Sequence, residues 1–171
     1  MKSRIFCVFA FVSGLAGGCS HPAGIPVVTD FDAGRYMGTW YEIARLPNRF
    51  EEGMTEVRAT YSPRPGGGIT VVNSGMKDGV KKSVTGVVYP AGKPGEGAFK
   101  VSFFRPFYGA YRIIKLAPDY RYSVVTGRDP SYLWILARER ALPERDREEI
   151  LSFLRQKSFP VEKLLWSWRR T

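Results

Sequence analysis

From Gly38 onward the chain alternates short extended runs with turn signals, and that spacing constrains the fold more than any other feature. Eight runs read as strands: 38–46, 55–63, 68–75, 82–90, 97–104, 110–117, 121–128 and 132–138. Pro63-Arg64-Pro65-Gly66-Gly67-Gly68, Lys77-Asp78-Gly79, Pro90-Ala91-Gly92-Lys93-Pro94-Gly95, Pro118-Asp119-Tyr120 and Arg128-Asp129-Pro130-Ser131 break them apart. Such residues end strands because proline lacks an N–H and glycine tolerates the left-handed turn positions. Strands at this interval, with neighbouring connections, describe an all-β domain. An eight-stranded, antiparallel, up-and-down β-barrel accommodates them and is just wide enough for one small ligand. Periodicity alone does not separate that barrel from a two-layer sandwich.

Alternation assigns the faces. Phe99, Val101 and Phe103 alternate with Lys100, Ser102 and Phe104, so the first three point inward. Ala59 and Tyr61 alternate with Arg58 and Thr60. On the first strand Trp40, Glu42 and Ala44 share a face opposite Tyr41, Ile43 and Arg45, and that second face is apolar enough to expect a helix over it. One long helix follows Pro143. Glu144, Asp146, Glu148 and Glu149 load its first half with negative charge, Arg155 and Lys157 sit at the other end, and Pro160 stops it. Ile150, Leu151, Phe153 and Leu154 form a stripe that needs a partner, so this C-terminal α-helix is expected on the outside of the barrel. Leu164-Leu165-Trp166 reads as a short edge strand.

The first strand enters through Asp32–Arg45. Gly38 lets another segment cross closely, and Trp40 supplies a large apolar plate with one N–H donor for one end of the core.

At 171 residues the chain is long enough for one domain with a full core. Its N-terminus reads separately. Lys2 and Arg4 precede an apolar run from Ile5 to Leu15, and small residues lead to Cys19, the three parts of an export signal. The run is too short for a comfortable membrane span. The expected division is a signal at 1–18, a tether at 19–30 containing Pro22 and Pro26, and a domain at 31–171. Losing Lys2 and Arg4 lowers the formal net charge from +10 to +8. A basic protein held in an envelope is drawn to anionic head groups. Its cations are scattered and form no recognisable nucleic-acid module, so no nucleic-acid partner is expected. With Cys7 inside the signal, no disulfide or cysteine chemistry is expected of the mature domain.

The cysteine at the cleavage point resembles a bacterial lipoprotein signal, in which the Cys19 thiol takes a diacylglyceryl group, although Ala16 stands where such signals usually have Leu. Ser20 after it, in place of the Asp of inner-membrane retention, favours the outer membrane. Gly38-Thr39-Trp40-Tyr41-Glu42 resembles the Gly-x-Trp signature that opens the first lipocalin strand. Asp119-Tyr120 resembles the second signature, departing from it at Pro118, where a Thr belongs. Arg138, closing Tyr132–Arg138, resembles the third. The chain from about Phe31 to Trp166 is similar to the bacterial outer-membrane lipoprotein lipocalins, with Tyr36–Phe50 and Lys100–Gly109 carrying the likeness further.

That resemblance implies binding of fatty acids or lysophospholipids for lipid storage, transport or membrane repair. It places a pocket-lining tryptophan at Trp134 and a ligand-contacting tyrosine at Tyr108, in a loop at the barrel mouth. Phe99, Val101, Phe103, Ala59 and Tyr61 would give an apolar wall. Glu42 is the polar exception on the inner face, expected to meet a structural partner or a ligand donor. Arg105 beside the mouth is the candidate for an anionic head group. Trp40 and Arg138 are expected to seal the closed end through a cation–π contact. The only histidine, His21, lies in the tether, no Gly-x-Ser-x-Gly elbow occurs, and no His/Cys cluster suggests a metal, so no cofactor and no enzyme activity are expected. A lipocalin-shaped enzyme acting on a lipid or isoprenoid is the alternative, and a scaffold with a filled barrel is a third. Trp166 and Trp168 leave a homodimer open.

Overall fold

A computed structural model describes residues 24–167; the expected signal, Cys19 and Trp168 lie outside them. The strands are β1 (Gly38–Arg45), β2 (Met54–Pro63), β3 (Ile69–Lys77), β4 (Val80–Pro90), β5 (Ala98–Phe104), β6 (Phe107–Leu116), β7 (Tyr122–Thr126) and β8 (Leu133–Ala137). All neighbours are antiparallel in the order β2-β3-β4-β5-β6-β7-β8-β1. β1 pairs back onto β2 from Gly38↔Tyr61 to Tyr41↔Arg58, which closes the barrel and excludes the sandwich. A short edge strand, β9 (Leu165–Trp166), pairs with β1 at Arg45 and Ala44.

Strand β6 begins at Phe107, three residues earlier than the turn signals suggest. Phe107 pairs with Phe104 across a register shift, so most of the expected loop at the mouth is strand. The ladder between β4 and β5, by contrast, stops after Val87↔Ser102, leaving Val80–Gly86 unpaired on that side.

The helix α1 (Ala33–Tyr36) lies across one end, capped by the Asp32 carboxylate, which accepts from the Gly34 and Arg35 amides. The helix α2 (Glu144–Gln156) lies outside the barrel. Ile150 and Leu154 are buried there against Ile43, Ala44, Ile114, Val124, Leu133 and Ile135. Its start is tied down by the Arg121 guanidinium, which donates to both Asp146 carboxylate oxygens at 2.7 Å. Tyr122 donates to Glu149 at 2.9 Å. The last part of the expected tether docks on the barrel too. Val28 exchanges backbone hydrogen bonds with Ile113 and Gly97, and Ile25 is buried.

The second apolar cluster fills the lower half of the barrel interior: Tyr36, Trp40, Tyr61, Phe99, Ile113 and Val125 among others. Trp40 is fully buried, stacks on Tyr36 at 4.5 Å and donates its N–H to the Tyr36 carbonyl at 2.8 Å. The Arg138 guanidinium covers its ring at 4.0 Å while donating to the carbonyls of Thr39 and Arg35. Gly38 sits at φ +93°, and a Cβ there would lie 3.4 Å from Arg138 Nη1. A side chain would therefore be strained by the backbone conformation, while its Cβ would only touch the arginine. Tyr120 Oη accepts the Asp32 amide at 2.8 Å, and Arg35 lies 4.1 Å over the Tyr120 ring. Asp119 takes Arg121 as its partner. The three signature segments thus converge on the closed end.

Candidate functional site

Above the Trp40 plug the interior is hollow. The cavity has a volume of about 120 Å³ and opens to solvent. Roughly 10–15 Å³ of such volume suffices for one water, so the cavity has room for several. A methylene is similar in bulk to a water, and the space therefore suits part of an acyl chain. Val57, Ala59, Val71, Val88, Val101 and Phe103 supply the apolar wall, and Trp134 stands in its β8 side.

Six of the nine residues expected at a ligand line this cavity: Trp134, Val101, Phe103, Ala59, Tyr61 and Glu42. Phe99 lies deeper, packed edge-on against Phe31 at 5.2 Å. Tyr108 does not reach the interior. It has no ladder partner and precedes Gly109, which pairs with the inward-facing Val101, so its ring falls on the outer face, beside Tyr89 at 6.5 Å and under the Lys100 ammonium at 5.4 Å. Arg105 is also outside, with Nη2 donating to Tyr89 Oη at 3.4 Å. Both were expected at the mouth because a longer loop was expected there.

A bulge in β1 changes the polar half of the site. Between Glu42↔Leu136 and Ala44↔Ile135 the register slips by one residue. Ala44 then joins the layer under α2, contrary to the simple alternation, and Arg45 turns to the Glu42 side. Arg45 Nη1 donates to Glu42 Oε1 at 2.5 Å, and its Nη2 donates to the carbonyls of Glu51 and Met54. Ser167 donates to the same Glu42 oxygen at 2.8 Å. Trp134 Nε1 donates to Glu51 Oε2 at 2.8 Å, which Asn48 also reaches. Glu42 is 1 % and Arg45 5 % exposed. Burial and the nearby Glu51 charge push the Glu42 carboxyl up to about 7, with Arg45 pulling the other way. Glu42 Oε2 and Asn73 Oδ1 are buried in the cavity wall with no protein donor.

The floor is polar in a different way. Tyr61 donates to Tyr111 at 2.9 Å, Tyr111 and Tyr36 share a bond of 2.8 Å, and Tyr36 donates to Ser123 at 3.1 Å. Burial raises all three phenols, Tyr36 to about 12, so each stays neutral. A chain running in that direction uses every phenolic proton internally, so the floor presents uncharged oxygen and ring edges to whatever lies above. Arg45, Glu51, Asn73 and Tyr111 were not singled out from the residues. Tyr111 shares parity with Ile113 and was within reach of alternation; Glu51 enters from a connecting loop and carried no periodic signal. Among the described residues no group of three His, Cys, Asp or Glu could hold a metal ion.

The family model for a lipocalin-like domain matches residues 31–169. The outer membrane lipoprotein Blc of Citrobacter freundii is 44 % identical over 170 residues, covering 95 % of this chain and 96 % of that one. The protein of the same name from Escherichia coli K12 is 46 % identical over 147 residues, 85 % and 83 % of the two chains. Temperature-induced lipocalin-1 of Arabidopsis thaliana is 33 % identical, covering 81 % and 79 %. Among solved structures, insecticyanin from the tobacco hornworm superposes with a TM-score of 0.71 over 86 % of each chain at 22 % identity, a likeness of fold.

Proposed function

This chain belongs to the lipocalin family, and from that premise we propose that it holds a fatty acid or lysophospholipid in the barrel while anchored to the bacterial outer membrane through Cys19. The observation that carries the proposal is the shape of the interior: an apolar tube plugged by Trp40, open at the other end, with Trp134 in its wall. An acyl chain gains by leaving water for such a tube, and the neutral tyrosines below it ask for no charge. A carrier built this way serves lipid storage, transport or repair in the envelope.

The test is native purification followed by mass spectrometry of co-purified lipid, together with titration by lysophospholipid. Trp134 is half-buried at the cavity wall and hydrogen-bonded to Glu51, so its emission is expected to shift as the chain enters and to saturate at one lipid per barrel. A flat emission, no heat in calorimetry and no extracted lipid would leave the interior without a guest and remove the carrier reading. Labelled lysophospholipid is expected to be recovered unchanged after incubation; a product would favour the lipid-acting enzyme instead.

Anchoring has its own readout. Each buried methylene contributes about 0.8 kcal/mol, so two or three acyl chains on Cys19 would hold the protein stably on a membrane. Cys19→Ala is expected to move the protein from the outer-membrane fraction into the soluble periplasmic fraction. Retention of that variant in the membrane would exclude Cys19 as the anchor. The names of the Citrobacter and Escherichia relatives support the location.

A further inference from the structure

We propose that a slot on the outer wall of the barrel, where β4 and β5 separate, binds the anionic head group of the lipid whose chain lies inside; this rests on the carrier reading. The slot is lined by Arg64, Thr70, Thr85, Ser102, Phe103 and Arg105. Its position follows from the ladder, which ends at Val87↔Ser102 and leaves the wall unlaced above that pair. Phe103 is the one aromatic that borders both the slot and the interior cavity. Its ring lies against Gly86, where a Cβ would lie 2.7 Å from the ring and 2.8 Å from the Ser102 carbonyl oxygen, so only a glycine lets the two strands approach there.

The chemistry of the slot asks for an oxyanion. Arg64 Nη1 donates to Tyr89 Oη at 2.7 Å and Arg105 Nη2 donates to the same oxygen at 3.4 Å, so two guanidiniums converge on one phenolic oxygen. Neither is ion-paired to a carboxylate among the described residues. Two like charges brought together without a counter-charge repel, and a phosphate or carboxylate relieves that repulsion while accepting their forked N–H groups. Ser102 adds a hydroxyl that is 3 % exposed and has no hydrogen-bond partner. The Lys100 ammonium stands nearby over Tyr108, extending the positive field along the same outer face. Beyond Gly86 the two strands share no ladder hydrogen bonds, so a glycerol or carboxyl end leaving the cavity there would reach the slot while the chain stays within. Arg105 thus meets a head group from outside the barrel, in partnership with Arg64, and not from the mouth.

The experiment compares an anionic and a neutral lipid of one chain length: 1-oleoyl lysophosphatidylglycerol and 1-monooleoylglycerol, titrated by Trp134 fluorescence. The native protein is expected to bind the anionic lipid at least about tenfold tighter. In Arg64→Gln/Arg105→Gln that preference is expected to fall below about twofold, with affinity for the neutral lipid unchanged. Both arginines are on the surface side of the wall, and the unchanged neutral-lipid affinity controls for folding. Preference persisting in the double variant would overturn the assignment, as would a parallel loss for both lipids. Inorganic phosphate binding the native protein as tightly as the lysolipid, read by calorimetry, would make this a free-anion site and overturn the head-group assignment. If monooleoylglycerol binds and the native protein shows no anionic preference, the slot proposal fails alone; if neither lipid binds, the carrier reading fails with it.

Discussion

Trp40→Ala is expected to lower the free energy of unfolding by about 3–5 kcal/mol, the range for truncating a fully buried tryptophan. The indole has no exposed surface, stacks on Tyr36, donates to the Tyr36 carbonyl and underlies Arg138. Its removal opens a void at the closed end, leaves a buried carbonyl without its donor, and takes away the face that orients Arg138. Arg138→Ala is the milder companion. It loses a cation–π contact worth about 0.5–2 kcal/mol and two carbonyl contacts, while the plug itself remains. Urea denaturation measures both, and lipid titration of Arg138→Ala is expected to match the native protein. A Trp40→Ala loss below about 1 kcal/mol would show that the plug does not carry the closed end. Intact stability with abolished lipid binding in Arg138→Ala would move that residue into the ligand site.

Arg45→Met is expected to destabilise by about 3–5 kcal/mol near pH 8, the cost of leaving one member of a buried ion pair uncompensated, and by clearly less near pH 5. Glu42 would then be a carboxylate in an apolar wall with only Ser167 donating to it. Its carboxyl already stands at about 7 against an ordinary 4.5, so the folded protein binds this proton more tightly than the unfolded chain does. The associated stability is therefore fully present below about pH 4.5 and is lost as pH rises through about 7. Without Arg45 the Glu42 carboxyl rises further, and the loss continues to higher pH. Glu42→Gln is expected to flatten this slope in the native background, and Glu42→Gln with Arg45→Met to recover much of the stability at pH 8. Urea midpoints at pH 5 and pH 8 decide the matter: an equal deficit for Arg45→Met at both would mean that Arg45 does not govern the Glu42 titration.

Strand spacing and the single outer helix were legible in the residues because each depends on local chemistry, whereas the pairing of Trp40 with Arg138 came from the resemblance to the lipocalin signatures. Clusters of glycine and proline interrupt the strands, and apolar stripes mark the helix. Inward parity on β2 and β5 was equally local, which is why Ala59, Tyr61, Val101 and Phe103 were found. The bulge at Ile43 was not. Alternation assumes one residue per step, and an extra residue in one strand is decided by how the partner strand fits, here β8. Everything beyond that point in β1 changes side, which exchanged Ala44 for Arg45. The same limit hid the face shown by Tyr108 and Arg105: an aromatic-rich stretch reads equally well as loop or strand, and only its pairing with β5 fixed which side each takes.

The amino-acid order thus determined how many strands there are, where they turn, which residues on each are apolar, and that a helix must cover one outer face. Closure of β1 on β2, the slipped register that buries Glu42 against Arg45, the hollow above Trp40 and the unlaced gap between β4 and β5 were decided only in three dimensions. The physical reason is that alternation along one strand is set by bond geometry within it. The distance and register between two strands depend on every side chain the barrel must enclose at once.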